Sequence, residues 1–322
     1  MSDPTASASA TVGLGRHGEN LSIMIPTYNC ADYLRHTLQS LREQGPSIRK
    51  ARIVVMDDCS TRDDPQAVVK ELWPSRVRFI RHANNIGVVA NFNGCIHEAR
   101  RRWIHILHGD DIALPGAYEE FAGTVRQNPQ AIAVFGRSVF MEIHGFWKGT
   151  TPILGPEPRG GYGYRAEQWS TCPVQCAGVL ISQPGVEAVG EFDSQFCHAA
   201  DWNMWWRLAR TGRVAYTNRC VGGYRMFEGN HSSTLRRNGL NMRESVAQAK
   251  LIFAECSTQT EARKFWAPML SQVVRQCQSF RDDPEALARN VAVLDEFPDG
   301  SVPWRIRAQL HRMGDRQMAA AA

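Results

Sequence analysis

Apolar positions along the chain fall into short continuous runs, separated by segments in which they recur with helical period. Residues 21–25 (LSIMI) form a short, mostly apolar run closed by Pro26, which reads as a buried strand. Residues 31–44 carry Leu34, Leu38 and Leu41 in helical step, and Gly45-Pro46 stops them. Residues 52–56 (RIVVM) repeat the strand pattern, and Asp64-Pro65 then opens a helix with a capping side chain and a first-turn proline. A third strand follows at 77–80, a third helix at 88–101 and a fourth strand at 103–107 (WIHIL). Pro115 starts another helix, and 131–135 is strand-like again. Residues 144–171 are rich in Gly, Pro and aromatics, carry no period, and read as a linker crossing the sheet. The strand pattern returns at 178–182, a helix at 201–210, and two short strands at 214–217 and 221–225. Beyond Arg236 the pattern is helical, with Phe265, Met269 and Val273 in step and Pro268 marking a helix start or kink. The Ala-rich end, 318–322, reads as disordered.

Strands alternating with helices imply parallel crossovers, hence an α/β fold: a mainly parallel central sheet flanked by helices, with a helical C-terminal extension. The expected division is a flexible lead over 1–20, a domain over 21–235 with halves at 21–111 and 172–235, and a helical region over 236–322. Such sheets bind ligands beyond the carboxyl ends of their strands. Polar clusters fall there: Thr27-Tyr28-Asn29 after the first strand, Asp57-Asp58 after the second, Asp110-Asp111 after the fourth. Three clusters on one edge make a site.

Composition narrows the class. With 43% hydrophobic and 21% charged residues among 322, the chain can bury a full core, which excludes a disordered one. No apolar run reaches the ~18–20 residues of a membrane span, and the lead lacks the charged-then-apolar order of a signal peptide. Nine scattered cysteines, several inside apolar runs, fit a reduced cytoplasmic chain. Cys172, Cys176, Cys197 and His198 match no standard zinc spacing. A net charge of +5 without a Lys/Arg block or an RNA-binding aromatic signature argues against nucleic acid as a partner.

Adjacent carboxylates at Asp110 and Asp111, leaving a buried strand, make either a hard oxygen site for Mg²⁺ or Mn²⁺ or a turn capping the helix at Pro115. Asp57-Asp58 reads either as turn residues or as a carboxylate accepting the ring N–H of a pyrimidine. The glycines of a phosphate loop do not follow the first strand, since Gly13-x-Gly15 precedes it.

In order and spacing, Ile25-Pro26-Thr27-Tyr28-Asn29, Asp57-Asp58-Cys59-Ser60, Asn85-x-Gly87 with Asn93, and His108-Gly109-Asp110-Asp111 resemble the family 2 glycosyltransferases, inverting bacterial enzymes of the GT-A fold. Gly190-Glu191-Phe192-Asp193, Asp201 ahead of Arg207-Leu208, and Tyr224-Arg225 with His231-Ser232 extend the resemblance to residue 234. It implies transfer of a sugar from a nucleotide-sugar donor, UDP- or dTDP-linked, to a glycan or lipid-linked acceptor in surface polysaccharide synthesis. It further implies that Pro26, Thr27, Tyr28, Asn29 and Asn93 line the nucleotide pocket, and that Asp58 binds the uracil or thymine N3–H. By the same resemblance Asp110 lies near the ribose and donor sugar, and Asp111 ligates Mn²⁺ or Mg²⁺ on the diphosphate. Asp201 is the implied general base, and Arg225 and His231 hold the diphosphate or the metal. The chemistry needs both poles: neutralised charge on the departing diphosphate, and a base on the opposite face of the sugar for the acceptor hydroxyl. In-line displacement then inverts the anomeric centre.

Three positions depart from the family pattern: Cys59 replaces the usual Gly, Gly109 stands where Asp-x-Asp has its first acid, and Ala200 precedes the base in place of an acid. Read alone, Asp201 is equally a helix N-cap. Trp202, Trp205 and Trp206 either pack the core or stack on acceptor sugar, with Trp147, Tyr162 and Tyr164 of the linker as further candidates. That linker is also the expected lid. Residues 303–313 form a basic amphipathic segment headed by Trp304, which either packs on a protein surface or rests on the inner face of the cytoplasmic membrane. Two rival readings stand beside the transferase. A sugar nucleotidyltransferase would carry a Gly-rich loop with a basic residue after the first strand, and a non-catalytic nucleotide- or glycan-binding protein would not need Asp58, Asp111 and Asp201 together.

Overall fold

Seven consecutive buried residues form β1 (Leu21–Thr27), and a strand that sheds water on both faces belongs in the middle of a parallel sheet. It pairs in parallel with β2 (Arg52–Asp57) on one side and β4 (Trp103–Ile106) on the other. β2 in turn pairs in parallel with β3 (Val77–Arg81). The connecting helices are α1 (Ala31–Arg42), α2 (Pro65–Leu72) and α3 (Val88–Glu98). Leu34, Leu38 and Leu41 of α1 are fully buried in the core, as their spacing predicts. Asp64 caps α2 through Oδ1, which accepts from the backbone N–H of Gln66 and Ala67. The structure, a computed structural model, describes residues 13–163, 166–227, 229, 231–256 and 259–321. Within the lead, Leu14 is already buried in this core.

The sheet continues through shorter and mixed pairings: β5 (Ile112–Ala113), then after α4 (Ala117–Gln127) β6 (Ala133–Met141), β7 (Trp147–Thr150) and β8 (Arg159–Tyr162), and later β9 (Val179–Ser182) and β10 (Val214–Arg225). The order is β3-β2-β1-β4-β9-β6-β10-β5, with β7 on β6 and β8 on β10. β10 and β6 are parallel, whereas β9 runs antiparallel to both β4 and β6. Three expectations change here. The two short strands at 214–217 and 221–225 are one strand, whose register shifts around Cys220 break the apolar run without ending the ladder. The span 144–171, expected as a structureless linker, contains β7 and β8. Part of it is also tied down: Arg137 donates to Thr151 O and Thr150 Oγ1, and Asn218 Nδ2 donates to Gly155 O and Glu157 O. The short helix α5 (Gln183–Val189), capped by Ser182 Oγ, was not expected from the period.

By its contacts the chain divides into two units, the first being Met1–Gly163, Pro173–Ser194 and Met204–Met226, the second Tyr164–Cys172, Gln195–Asn203 and Phe227–Ala322. The whole sheet lies in the first. Helix α6 (Ala200–Thr211) precedes β10, and the C-terminal stretch is helical throughout: α7 (His231–Arg237), α8 (Leu240–Phe253), α9 (Gln259–Ser279), α10 (Pro284–Val291) and α11 (Trp304–Ala321). Pro268 sits inside α9 rather than starting it. α11 runs to Ala321, where the composition reads as disorder, and Ala322 lies outside the described residues. The second unit is held by aromatic packing of Phe253, Phe265, Trp266 and Phe297, and by a buried network in which Gln276 bonds Asn241 and Asn290. Among the described residues no helix is long and apolar enough to cross a membrane.

Two local features generate tests. Glu120 of α4 is buried and accepts from Arg159 Nε at 2.7 Å, Arg159 Nη2 at 2.6 Å and Thr217 Oγ1 at 2.6 Å, joining α4, β8 and β10. The Arg159 guanidinium holds its carboxyl below the usual range, with the Thr217 hydroxyl helping. Glu120→Gln is expected to cost about 2 kcal/mol in urea denaturation at neutral pH. A depressed folded value gives stability that is complete above the unfolded value of about 4.3 and lost as pH falls through the folded one. The wild-type advantage over Glu120→Gln therefore closes below about pH 4. In the turn after β2, Cys59 holds φ 61°, a left-handed backbone that costs a Cβ-bearing residue about 1–2 kcal/mol. Cys59→Gly removes that strain at some unfolded-state entropy cost, and is expected to stabilise the chain by about 0.5–1 kcal/mol in the same assay.

Candidate active site

The loop after β4 runs on beside β1: Leu107 N donates to Met24 O at 2.9 Å and Gly109 N to Pro26 O at 3.0 Å. The polar side of α1 then supports it. Thr37 Oγ1 lies 2.7 Å from Asp111 O and 3.1 Å from Gly109 O, Ser40 Oγ accepts from Ala113 N at 3.1 Å, and Gln44 Nε2 donates to Leu114 O at 3.0 Å. Gly109 is demanded by space. A Cβ there would stand 2.8 Å from Thr27 Oγ1 and 3.3 Å from Pro26 O, so this loop has no room for the first acid of a longer Asp-x-Asp.

What the loop presents is a cluster of His108, Asp110 and Asp111, whose ligand atoms lie within 4.8 Å of one another. Asp111 is fully buried. Its Oδ1 accepts from Arg225 N at 2.9 Å, while Oδ2 has no hydrogen-bond partner among the described residues and stands 3.6 Å from His108 Nδ1. Burial pushes the Asp111 carboxyl well above the usual carboxylate range, and the charge of Asp110 adds to the shift. Burial likewise raises Asp110 to about 6, with Arg225 pulling it back down. Two carboxylates, one of them with an orphaned buried oxygen, and an imidazole are a donor set that fits Mn²⁺ or Mg²⁺. His108 was quoted in the sequence motif but given no role there; its place directly ahead of the acid pair was the available signal. Its ring also stacks on Phe92, with centroids 5.0 Å apart.

Arg225, at the end of β10, is committed to the loop. Nε donates to Asp110 O and Nη1 to Ile143 O, both at 2.9 Å, and the guanidinium lies 5.2 Å over the Tyr33 ring. It is 3% exposed, its backbone N–H meets the Asp111 carboxylate and its guanidinium holds the backbone of the loop. Asp58 is also largely engaged: Oδ1 accepts from Ile86 N at 2.8 Å and Oδ2 from Gly87 N at 3.0 Å, which shapes the Asn85–Gly87 turn. Its neighbour Asp57, given no role of its own in the sequence, is buried and takes Arg81 Nε at 2.6 Å together with both Ser60 donors. Asn29 Oδ1 accepts from Thr61 N and Arg62 N, and Asn93 is clamped to both backbone groups of Phe192. Pro26 and Thr27 are buried at the strand end, and Tyr28, 47% exposed, is the side chain of that group turned to solvent.

Asp201 belongs to the second unit. Its Oδ1 accepts from Trp202 N at 2.6 Å, one residue inside α6. The turn ahead of that helix is held by Glu244, whose Oε2 accepts from the backbone N–H of Cys197, His198 and Ala199. His231 opens α7, and its side chain lies outside the described part. Trp202 and Trp205 are 3% and 1% exposed, and Trp205 meets Phe135 and Phe192 edge-on, so neither indole offers a face to an acceptor sugar. Trp147 does, at 64% exposure on β7; Tyr164 and the Tyr162 side chain lie outside the described residues.

Among solved structures, Staphylococcus aureus TarS 1-349 in complex with UDP-GlcNAc superposes with a TM-score of 0.64 at 15% identity, covering 93% of this chain and 88% of that one. The mannosyltransferase PcManGT from Pyrobaculum calidifontis, in complex with GDP-Man and Mn²⁺, gives 0.54 at 17% identity, over 93% and 80%. Both are glycosyltransferase structures and establish the GT-A-type fold. Among curated sequences, the Escherichia coli UDP-Glc:alpha-D-GlcNAc-diphosphoundecaprenol beta-1,3-glucosyltransferase WfaP is 22% identical, over 83% of this chain and all of its own. Two others, 34% and 32% identical, are matched over only 34% of their length, so the chain spans about a third of those relatives. The family model for "Glycosyl transferase family 2" matches residues 22–188, more than half of the sequence and the part that builds β1 through α5. The chain belongs to glycosyl transferase family 2.

Proposed function

We propose that this protein is a metal-dependent, inverting glycosyltransferase, moving a sugar from a UDP- or dTDP-linked donor to a lipid-linked glycan acceptor in surface polysaccharide synthesis. One observation carries the reading: Asp111 Oδ2, buried and without a hydrogen bond among the described residues, beside Asp110 and His108 at the carboxyl edge of the sheet. An oxygen of that kind is costly unless a cation meets it. Asp111, Asp110 and His108 would hold the divalent ion, which when bound supplies charge neutralisation to the departing diphosphate. Arg225 and Thr37 keep the loop in shape, Tyr28 and the Asn85–Gly87 turn held by Asp58 border the nucleotide, and Asp58 keeps lone pairs for a pyrimidine N3–H. Asp201 takes the acceptor proton, a role resting on the family resemblance.

The donor class is supported by the names of the E. coli relative and of the TarS complex, both with UDP-sugars, and the metal by the Mn²⁺ in the archaeal neighbour. The acceptor class is supported by the diphosphoundecaprenol in the relative's name. An acceptor of that kind brings the enzyme to the cytoplasmic face of the membrane, where Trp304, 72% exposed at the start of α11, is a suitable contact.

Calorimetric titration with UDP, dTDP, GDP and CMP, each with and without Mn²⁺, is expected to give tight Mn²⁺-dependent binding of UDP or dTDP. Tight binding of GDP or CMP alone would overturn the pyrimidine reading of Asp58. Asp111→Asn is expected to abolish the Mn²⁺ enhancement and lower transfer at least ~100-fold. In EDTA the same variant should melt higher than wild type, because a carboxylate raised by burial destabilises the fold at neutral pH. A lower melting point would mean that the carboxylate is structurally paired. Asp201→Asn should reduce kcat by ~10²–10⁴ with unchanged UDP affinity; wild-type turnover in that variant would remove Asp201 from the base role.

A further inference from the structure

Opposite the carboxylate cluster, the segments that enter β2, β3 and β4 converge on a second cleft. Its volume is 360 Å³, and of its eight lining residues six are cationic: Lys50, Arg52, Arg76, Arg78, Arg100 and Arg101. The other two, Ala51 and Ile53, are buried. Because β3, β2, β1 and β4 are mutually parallel, these segments all lie at the amino edge of the sheet. Six residues of β2 at ~3.3 Å each put the cleft roughly 20 Å from the loop that carries Asp58. It is separate from the site described above.

The cations outnumber what the protein supplies to meet them. Lys50 Nζ pairs with Glu19 at 2.9 Å, and a single carboxylate, Glu98, is shared by Arg52, Arg78 at 3.2 Å and Arg100 at 3.6 Å. Arg76 spends its guanidinium on the carbonyls of Ile48 and Ala51. Among the described residues Arg101 has no ion pair. Six positive groups against two carboxylates, on a chain of net charge +5, is a concentration and not an average. Like charges at this density repel, and a bound anion relieves them.

We propose that this cleft binds a compact phosphate-bearing anion, with a diphosphate as the best match. Five of the six cations are arginines, whose planar forks suit phosphate oxygens in pairs. The lining holds no aromatic ring, so it reads charge rather than a base or a sugar face. The exposed large hydrophobic residues, such as Phe146, Trp147 and Trp304, come from other segments, so nothing apolar here would enter a bilayer. A lipid headgroup and a soluble anion share this chemistry, and the test separates them.

Full-length protein in EDTA and low salt is titrated with inorganic pyrophosphate by calorimetry. Binding that weakens steeply with added salt is expected. It should fall at least ~10-fold in the Arg78→Ala/Arg101→Ala double variant, which keeps the less exposed Arg52–Glu98 pair, and stay unchanged in Asp111→Asn. Wild-type affinity in the double variant, equal binding of sulfate, or no binding at all would overturn the proposal. Co-sedimentation with phosphatidylglycerol vesicles, against phosphatidylcholine, forms the second arm. Vesicle binding that pyrophosphate displaces and the double variant loses would support the phosphate chemistry and assign it to a lipid headgroup. Pyrophosphate binding without vesicle binding would support it and assign it to a soluble anion.

Discussion

A fully buried carboxylate, Asp111, beside a half-buried one, Asp110, is a costly feature of the first unit, and much around the pair serves to make that burial tolerable. Asp110 and Asp111 are both driven toward the neutral form by burial, Asp111 more so because it faces Asp110. What offsets the cost is contributed from distant parts of the chain. Arg225 gives Asp111 its backbone N–H and Asp110 a charged neighbour, and α1 supplies Thr37 under the carbonyls of the loop. One oxygen of Asp111 is left without a hydrogen bond among the described residues, and that unmet demand is what a cation would answer.

This constraint also accounts for the long β10. A strand that ended at Thr217 could not bring Arg225 beside the loop after β4; the irregularity around Cys220 lets one strand keep its ladder to β6 and still deliver that residue. Gly222 and Gly223 pair there with β5, the two residues that follow Asp111. The loop is thus pinned by β1 on one side, by α1 along its length and by β10 at its far end.

Charge is sorted between the two edges of the parallel sheet. Carboxylates gather beyond the strand ends and cations collect where the strands begin. In a β-helix-β crossover the helices return antiparallel to the strands, so their positive ends lie at the carboxyl edge and their negative ends at the amino edge. A diphosphate at the carboxyl edge meets favourable dipoles, and some of the basic residues at the amino edge answer the opposite ones.

The run LSIMI and the Leu34, Leu38, Leu41 period determined β1 and α1, because burial on both faces or on one stripe leaves a mark in neighbouring positions. Motif order determined the family, since several short polar clusters must follow particular strands. β7 and β8 left no such mark: β7 is exposed on both faces, and the segment is held by distant groups, Arg137 of β6 on Thr150, Asn218 of β10 on Gly155 and Glu120 of α4 on Arg159. Side-chain roles were decided by tertiary structure for the same reason. Sequence named Arg225, Asp58 and Asn93 as candidate ligand-binding residues, and the fold adds what it did not show, hydrogen bonds to Asp110, Ile86, Gly87 and Phe192 that hold them in place. Those partners lie from about 30 to more than 100 positions away. Local pattern fixes which segments fold into strands and helices; only the folded chain decides which polar atoms are already satisfied, and so which remain for a ligand.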